Sequence, residues 1–248
     1  MMDTMTDDEE RRTGLTPVRI AWEMMACERE SGDLACVFPL GVDCLGLYVL
    51  DVCGHGSRSA DYARLLHEEI LQAADGTSVP GGEPVDQVRP GLASPQEVVT
   101  ALNQRFPMVP PSNQYFTMVY GTLDLRTGRF AYTTAGHPGP ICVRRDGRAE
   151  TSPCLGVAVG FFEEAIYNNQ QLTLKPGDRL FLYSDGLLEA GLEQETGMLG
   201  EEQLRELLRG ARGSTVQDAV DRVCAVVRKQ CGRAGLTDDV CILALEYG

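Results

Sequence analysis

The chain has few histidines and no long apolar stretch. Only three histidines occur in 248 residues, and none are in His-x-His spacing, which argues against an imidazole-built zinc or copper centre. No segment approaches the roughly 20 consecutive apolar residues that span a bilayer. The N-terminus MMDTMTDDEERRTG is too polar and acidic for a signal peptide. We therefore expect a cytoplasmic protein with no membrane partner.

Basic residues are also scarce, with 22 Lys and Arg against 36 Asp and Glu and a formal net charge of -14. Binding to a nucleic-acid backbone requires a basic face, so we expect no nucleic-acid partner. The nine cysteines are an odd number and include no Cys-x-x-Cys pair. This pattern disfavours a disulfide framework and a structural zinc site, and we interpret the cysteines as reduced thiols.

The apolar residues suffice for one large core, because hydrophobic types make up 43% of the chain. We predict a disordered tail over residues 1–15 and one domain over residues 16–248. Glycines and prolines concentrate in residues 75–92, which predicts a long surface loop.

Hydrophobic periodicity predicts short strands with few long helices. Strand-like apolar runs predict strands from Val18 and over residues 34–40, 45–50, 171–174, 179–183 and 240–246, and a period of two predicts strands over residues 115–124, 130–134 and 141–144. Helical spacing and an N-cap at Ser94 predict helices over residues 57–74, 94–106, 201–208 and 216–231. We expect an antiparallel meander over residues 115–144 and a hairpin around Pro176-Gly177. The absence of regular strand-helix alternation favours an α+β sandwich over a parallel sheet.

Three of the predicted core strands present a carboxylate at one end. Asp51 ends LGLYVLD, Asp185 follows RLFLYS, and Asp238 and Asp239 immediately precede VCILALE. Ionised carboxylates held together beside a core repel one another unless a cation binds them. An oxygen-rich donor set of this kind selects Mg²⁺, Mn²⁺ or Ca²⁺.

The alternative for any one of these residues is a turn or helix-cap role. Their joint occurrence next to buried strands favours the metal interpretation. Asp43, Asp124 and Asp146 keep the turn interpretation, because each lies in or beside a predicted hairpin turn.

The motifs around these carboxylates resemble, in order and spacing, the SpoIIE/RsbU branch of the PPM phosphatases, from about Glu30 onward. They are Ser31-Gly32-Asp33, Asp51-Val52-Cys53-Gly54-His55-Gly56, Ala135-Gly136-His137-Pro138, Pro176-Gly177-Asp178, Tyr183-Ser184-Asp185-Gly186 and Thr237-Asp238-Asp239. The resemblance implies two stacked antiparallel β-sheets flanked by helices, an αββα sandwich. It also implies a site for two Mn²⁺ or Mg²⁺ ions at one end of the sandwich.

The resemblance further implies roles for individual residues. Asp51 is expected to bridge the two metals, the Val52 carbonyl to bind one, and Asp185 and Asp238 to complete the shell. Asp33 is expected to bind metal directly or to hold water beside it. Catalysis is therefore expected to depend on Asp33, Asp51 and Asp185. The candidates for contacts that support these ligands are His55, Gly186 and Asp239.

The implied activity is hydrolysis of phosphoserine or phosphothreonine on a phosphoprotein. The implied substrate is a STAS-type anti-sigma-factor antagonist in bacterial partner switching, a form of signal transduction. We expect regulation through a partner protein or a homodimer.

One departure from the family pattern follows Gly32-Asp33. The family usually has two aromatics and a second Asp there, whereas this chain has Leu34, Ala35 and Cys36. We expect weak affinity for the second metal and a gain in activity from Cys36→Asp. A catalytically weak or inactive PPM-fold protein-binding module therefore stays open as an alternative.

Two rival sites match less well. Cys142 and Arg148 fit the Cys-x5-Arg signature of cysteine phosphatases, but no helix is predicted to follow them. Gly54-His55-Gly56 suggests a dinucleotide loop, but Ser59 replaces the third glycine. His137 in its Gly-His-Pro turn is interpreted as structural.

Overall fold

The computed structural model describes residues 16–54, 56–74, 93–109, 113–192, 197–232 and 235–248. The predicted tail over residues 1–15, the predicted loop over residues 75–92 and His55 lie outside the described residues. None of the helices in the described ranges has the length and apolarity needed to cross a membrane.

Ten strands and five helices are described, and most coincide with the predicted elements. The strands are β1 Val18–Met25, β2 Asp33–Pro39, β3 Cys44–Val52, β4 Phe116–Asp124, β5 Arg129–Ala135, β6 Ile141–Val143, β7 Ala149–Thr151, β8 Gln170–Thr173, β9 Asp178–Tyr183 and β10 Val240–Tyr247. The helices are α1 Ser57–Ala74, α2 Pro95–Arg105, α3 Asp185–Glu189, α4 Gly200–Gly210 and α5 Val216–Cys231.

The strands form two five-stranded sheets, and the predicted αββα sandwich is confirmed. Sheet I has the order β1-β10-β9-β6-β7 and sheet II the order β2-β3-β4-β5-β8. Neighbouring strands within each sheet run antiparallel.

Leu47 and Leu243 belong to the apolar cluster between the sheets. Helices α1 and α2 cover sheet II through residues such as Leu66 and Val98. Helix α5 covers sheet I through residues such as Val223.

Strand β3 is apolar on both faces because it is covered on both. Leu47 and Val49 point into the cluster between the sheets, whereas Tyr48 and Leu50 point into the cluster beneath α1 and α2. Successive side chains of a strand point to opposite faces. Asp51 therefore continues the row of Leu47 and Val49, toward sheet I.

Helix α2 begins as its sequence predicts. The Glu97 carboxylate accepts a hydrogen bond from the Ser94 N–H at 2.7 Å, which completes a capping box, and Pro95 occupies the first helical position. These features satisfy backbone donors that a helix N-terminus leaves without partners.

The predicted hairpin around Pro176-Gly177 is wrong. Strand β8 pairs with β5 in sheet II, whereas β9 pairs with β10 and β6 in sheet I. A turn does occur at Pro176-Gly177, as predicted. It carries the chain from sheet II to sheet I, as corners of sandwiches do, and does not join two paired strands.

The predicted meander over residues 115–144 is only half right. Strands β4 and β5 pair as a hairpin, but β6 crosses to sheet I and pairs with β7 and β9. Sandwich folds divide consecutive strands between their two sheets, and strand periodicity alone does not reveal this division.

Candidate metal centre

Two of the predicted site residues face each other in sheet II. Asp33 opens β2 and pairs directly with Asp51 near the end of β3. The two side chains of a directly opposed antiparallel pair lie on the same face of the sheet. Since Asp51 points toward sheet I, the Asp33 carboxylate points the same way.

Two further predicted residues meet at the same end of sheet I. Strands β9 and β10 are antiparallel neighbours, with Tyr183 opposite Ile242. The end of β9 therefore adjoins the beginning of β10. Asp185 lies just after the end of β9 and Asp238 lies just before the beginning of β10. The two carboxylates therefore come from adjacent chain segments.

Asp33 is deeply buried and its charge is incompletely compensated. The side chain is 3% exposed, and its Oδ2 has no hydrogen-bond partner among the described residues. Burial and then the charge of Asp51 raise the pKa of Asp33 well above its usual range, and the Ser184 hydroxyl opposes the shift by hydrogen bonding. A buried carboxylate oxygen in this position requires a cation or a proton.

The charges of Asp185 and Asp238, which lie beside the ends of β9 and β10, act on Asp51. Burial raises the pKa of Asp51 to about 7, with further contributions from the charges of Asp185 and Asp238. A hydrogen bond with Asp33 acts in the opposite direction. The carboxylates of the two sheets therefore form one electrostatically coupled group, as the metal hypothesis requires.

Asp239 supports the site from behind. Its Oδ1 accepts from the Cys27 N–H at 2.7 Å and its Oδ2 from the Gly32 N–H at 2.8 Å. These bonds tie the segment before β2 to the beginning of β10. Asp239 thereby fixes the backbone next to Asp33, and its role in supporting metal ligands stays a prediction.

Glycines allow the close approaches around the carboxylates. A Cβ on Gly186 would lie 2.0 Å from the Asp239 carbonyl oxygen, so only glycine fits there. Gly186 also donates its N–H to the Asp185 Oδ1 at 3.0 Å. A Cβ on Gly32 would lie 3.1 Å from the Val52 carbonyl oxygen, which brings the predicted backbone ligand beside the segment that carries Asp33.

The donor set fits a hard divalent cation, although the carboxylates do not close into a cage. No group of three or more His, Cys, Asp or Glu side chains is arranged to hold a metal ion within the described ranges. Carboxylates of like charge repel one another. The unpaired Oδ2 of Asp33 and the carboxylates of Asp51, Asp185 and Asp238 are oxygen donors of the kind that Mg²⁺ and Mn²⁺ prefer.

Ser184 was given no role in the sequence analysis. It is fully buried at the end of β9, where its Oγ accepts from the Cys241 N–H at 2.9 Å and its hydroxyl lowers the pKa of Asp33. The residue thus connects sheet I to Asp33 of sheet II. The sequence could have indicated this role, because Ser184 directly follows an apolar strand and precedes the candidate ligand Asp185.

The expectation that Cys36 belongs to the site is wrong. Cys36 packs against the cluster beneath α1 and α2, where it neighbours Tyr48. It is three positions after Asp33, and an odd separation along a strand places side chains on opposite faces. The departure from the family pattern at Cys36 therefore lies outside the carboxylate group.

We now expect Cys36→Asp to lower stability without changing the Mn²⁺ dependence of activity. A carboxylate in this half-buried apolar position should cost about 1–3 kcal/mol. Thermal melting and an Mn²⁺ titration of activity measure the two effects, with Cys154→Asp at an exposed cysteine as the matched control. A gain in activity at low Mn²⁺ would show that Cys36 reaches the site after all.

The raised pKa of Asp51 predicts how the metal-free protein responds to pH. In the unfolded chain this carboxyl ionises at about pH 4, whereas in the folded chain its pKa is about 7. The folded state therefore binds the proton more tightly, and stability must fall as pH rises through this window. Melting in EDTA between about pH 5 and about pH 8 should show this decline, and Asp51→Asn should reduce it. Identical profiles for the two proteins would contradict the expectation.

His137 and Cys142 are both buried away from solvent. His137 Nδ1 lies 2.8 Å from the Thr117 Oγ1, and burial lowers the pKa of His137 to about 3, which suits the structural role predicted for it. Burial raises the pKa of the Cys142 thiol to about 12, and β6 is followed directly by β7 rather than by a helix. A cysteine-phosphatase loop is therefore excluded. The antiparallel neighbours of β3 likewise exclude a dinucleotide-binding unit at Gly54.

The sequence itself assigns the family. A family model described as Stage II sporulation protein E (SpoIIE) matches residues 41–248. The chain belongs to the SpoIIE family. The matched residues of this SpoIIE-family chain include Asp51, Asp185 and Asp238, whereas Asp33 lies before them.

Relatives of known name cover most of the SpoIIE-family chain. The phosphoserine phosphatase RsbP of Bacillus subtilis (strain 168) is 24% identical over 220 residues, which cover 87% of this chain and 49% of RsbP. The phosphoserine phosphatase RsbU of the same strain is 26% identical over 130 residues, which cover 52% of this chain and 38% of RsbU. The chain thus spans at most about half the length of these relatives.

Solved structures share the fold. The RsbU and RsbW domains of Rv1364c from Mycobacterium tuberculosis superpose with a TM-score of 0.69 at 27% identity, covering 94% of this chain and 60% of that chain. The SiaA-PP2C domain of Pseudomonas aeruginosa superposes with a TM-score of 0.76 at 17% identity, covering 98% and 90% respectively. The SpoIIE-family chain therefore has the PP2C-type sandwich.

Proposed function

We propose that the chain is a metal-dependent protein serine/threonine phosphatase. The observation that carries the proposal is the meeting of carboxylates from both sheets at one end of the sandwich. Asp33 pairs with Asp51 in sheet II, and the charges of Asp185 and Asp238 from sheet I act on Asp51. Membership of the SpoIIE family and similarity to the phosphoserine phosphatases RsbP and RsbU support the same activity.

We propose Mn²⁺ or Mg²⁺ as the cofactor, with two ions held by Asp33, Asp51, the Val52 carbonyl, Asp185 and Asp238. RsbX, which has the same fold, has been solved in complex with magnesium, at 13% identity and a TM-score of 0.64. When bound, such ions lower the pKa of water and neutralise the phosphate during in-line attack. Within the chain, the buried Oδ2 of Asp33 is suited to hold a proton or a cation, because it has no other partner in the described ranges.

We further propose that the substrate is a phosphoserine or phosphothreonine on a STAS-type antagonist in bacterial partner switching. The phosphoserine specificity in the names of RsbP and RsbU supports this substrate class. The acidic chain suits a neutral or basic protein surface better than a nucleic acid. A cytoplasmic location is part of the proposal, as is regulation by a partner protein or a homodimer.

The test of the proposal is turnover of a model phosphosubstrate with Mn²⁺ titrated against chelator. We expect hydrolysis of a phosphoserine peptide to rise with free Mn²⁺ and to stop in excess EDTA. Full activity in excess EDTA would falsify the metal requirement. Absence of turnover at every Mn²⁺ and Mg²⁺ concentration would instead support a non-catalytic protein-binding module.

Cys142→Ser distinguishes this mechanism from a cysteine-dependent one. The variant should keep activity within about tenfold of wild type, whereas loss of a covalent nucleophile costs on the order of 10⁶-fold. The reason is that Cys142 is buried in β6 and its raised pKa, about 12, keeps the thiol protonated. The same phosphopeptide assay measures the effect, and a thousandfold loss would revive the cysteine mechanism.

A further inference from the structure

A cavity lies at the end of the sandwich opposite to the carboxylates. Its volume is about 660 Å³, and its walls are the turn between β6 and β7 and the turn between β8 and β9. Strand β9 begins at Asp178 beside this cavity and ends at Tyr183, next to the candidate metal centre. The two sites are therefore separated by the length of one strand.

The walls of this distal cavity are basic. Arg144, Arg145, Arg148 and Lys175 line it, in a chain whose formal net charge is -14. The side chain of Arg212, from the segment between α4 and α5, lies against the same turn, because a Cβ on Gly147 would lie 2.6 Å from the Arg212 Nη1. Such a concentration of cations in an acidic protein creates a local site for anions.

Some of these cations are neutralised by the cavity's own carboxylates. Arg144 Nη1 donates to the Asp178 Oδ2 at 3.0 Å, and its Nη2 lies 3.4 Å from the Glu150 Oε2. Arg148 Nε donates to the Asp146 Oδ2 at 2.9 Å. These pairs account for the three acidic residues that line the cavity.

These ion pairs do not neutralise the side chains of Arg145 and Lys175. Across the described ranges, neither side chain forms an ion pair or a hydrogen bond, although both backbone N–H groups are bonded. Both residues are exposed to solvent. One Arg and one Lys from two different turns thus present unneutralised charge to the same cavity.

A buried carboxylate holds the two turns in place. Asp178 is 2% exposed, and it accepts from the Arg145 N–H at 2.9 Å and from the Lys175 N–H at 3.0 Å as well as from Arg144. The stem of Arg145 lies across Gly177, where a Cβ would be 2.9 Å from the Arg145 Cδ. The backbone beneath both free cations is therefore fixed before any ligand arrives, which lowers the entropic cost of binding.

We propose that the distal cavity binds a small ligand carrying two or more phosphate groups. Its volume lies within the roughly 300–1,000 Å³ of small-molecule sites. Arginine recognises phosphate through paired N–H donors, and lysine adds a point charge. A concave site with its cations on opposing walls suits a compact polyanion that bridges the two turns.

Calorimetric titration of the metal-free protein in EDTA tests this inference with pyrophosphate, ATP and inorganic phosphate. Without a cation the carboxylates of the candidate metal centre repel anions, so the heat reports on the distal cavity and is independent of phosphatase activity. Pyrophosphate and ATP should bind more tightly than inorganic phosphate. The double variant Arg145→Ala/Lys175→Ala should weaken binding by about tenfold or more, since each charge-assisted hydrogen bond is worth about that factor.

The matched control is Arg222→Ala/Lys229→Ala, which removes one Arg and one Lys from the exposed face of α5 and should leave binding unchanged. Equal affinity in the wild type and the Arg145→Ala/Lys175→Ala variant would overturn the proposal. So would the absence of binding by both pyrophosphate and ATP. Binding of a hexaglutamate peptide without binding of pyrophosphate would assign the cavity to an acidic protein segment instead.

Discussion

Asp51→Asn is expected to abolish measurable phosphatase activity at every Mn²⁺ concentration. Asp51 is the one carboxylate that pairs with Asp33 and is also acted on by the charges of Asp185 and Asp238. Asparagine has nearly the same shape but removes the charge that a bridging ligand must supply. Residues that only orient metal ligands cost about 10–100-fold when substituted. The loss for Asp51 should exceed about 100-fold, measured as hydrolysis of a phosphoserine peptide.

The control for this prediction is Asp124→Asn, at the opposite end of the neighbouring strand. Asp124 Oδ1 accepts from the Arg126 N–H at 2.8 Å and from the Thr127 N–H at 3.1 Å, a turn arrangement that asparagine also supports. The activity of the Asp124→Asn variant should equal that of the wild type. If Asp51→Asn keeps a tenth or more of the activity, the assignment of Asp51 as a bridging ligand fails.

The fold was predictable where local rules decide it. Two apolar runs around Gly41-Val42-Asp43 form the β2–β3 hairpin, and the Ser94 capping box starts α2. The division of strands between two sheets was not predictable, because a turn such as that at Gly177 is compatible with either pairing. The three-residue β7 and the five-residue α3 are too short to show a hydrophobic period.

The candidate metal centre was predictable only where local sequence rules decide its geometry. The hairpin register that opposes Asp33 and Asp51 follows from one local turn. The approach of Asp185 to Asp238 depends on the pairing of β9 with β10, which are distant in sequence. The error at Cys36 was avoidable, because period-two alternation already separates it from the face of Asp33. The contacts of Asp178 with Arg144 and Arg145 arise between turns that are distant in sequence, so no local pattern reveals them.

Asp185→Asn should change stability in opposite directions with and without metal. Without metal, Asp185 contributes to the repulsion that raises the pKa of Asp51, so its neutralisation should leave the melting temperature unchanged or raise it. The amide oxygen of asparagine can still accept the Gly186 N–H that Asp185 Oδ1 accepts at 3.0 Å. The substitution therefore tests charge rather than hydrogen bonding.

With saturating Mn²⁺ the order of the two proteins should reverse. A ligand at 100 times its Kd stabilises a folded protein by about 2.7 kcal/mol, and a variant that binds more weakly gains less. The control is Asp178→Asn, which should lower stability by about 1–3 kcal/mol in both conditions, because it removes a buried partner of Arg144 far from the metal centre. Melting of all three proteins in EDTA and in Mn²⁺ measures both effects. An equal decrease for Asp185→Asn in both conditions would make Asp185 a structural carboxylate like Asp178, and the metal assignment at Asp185 would be wrong.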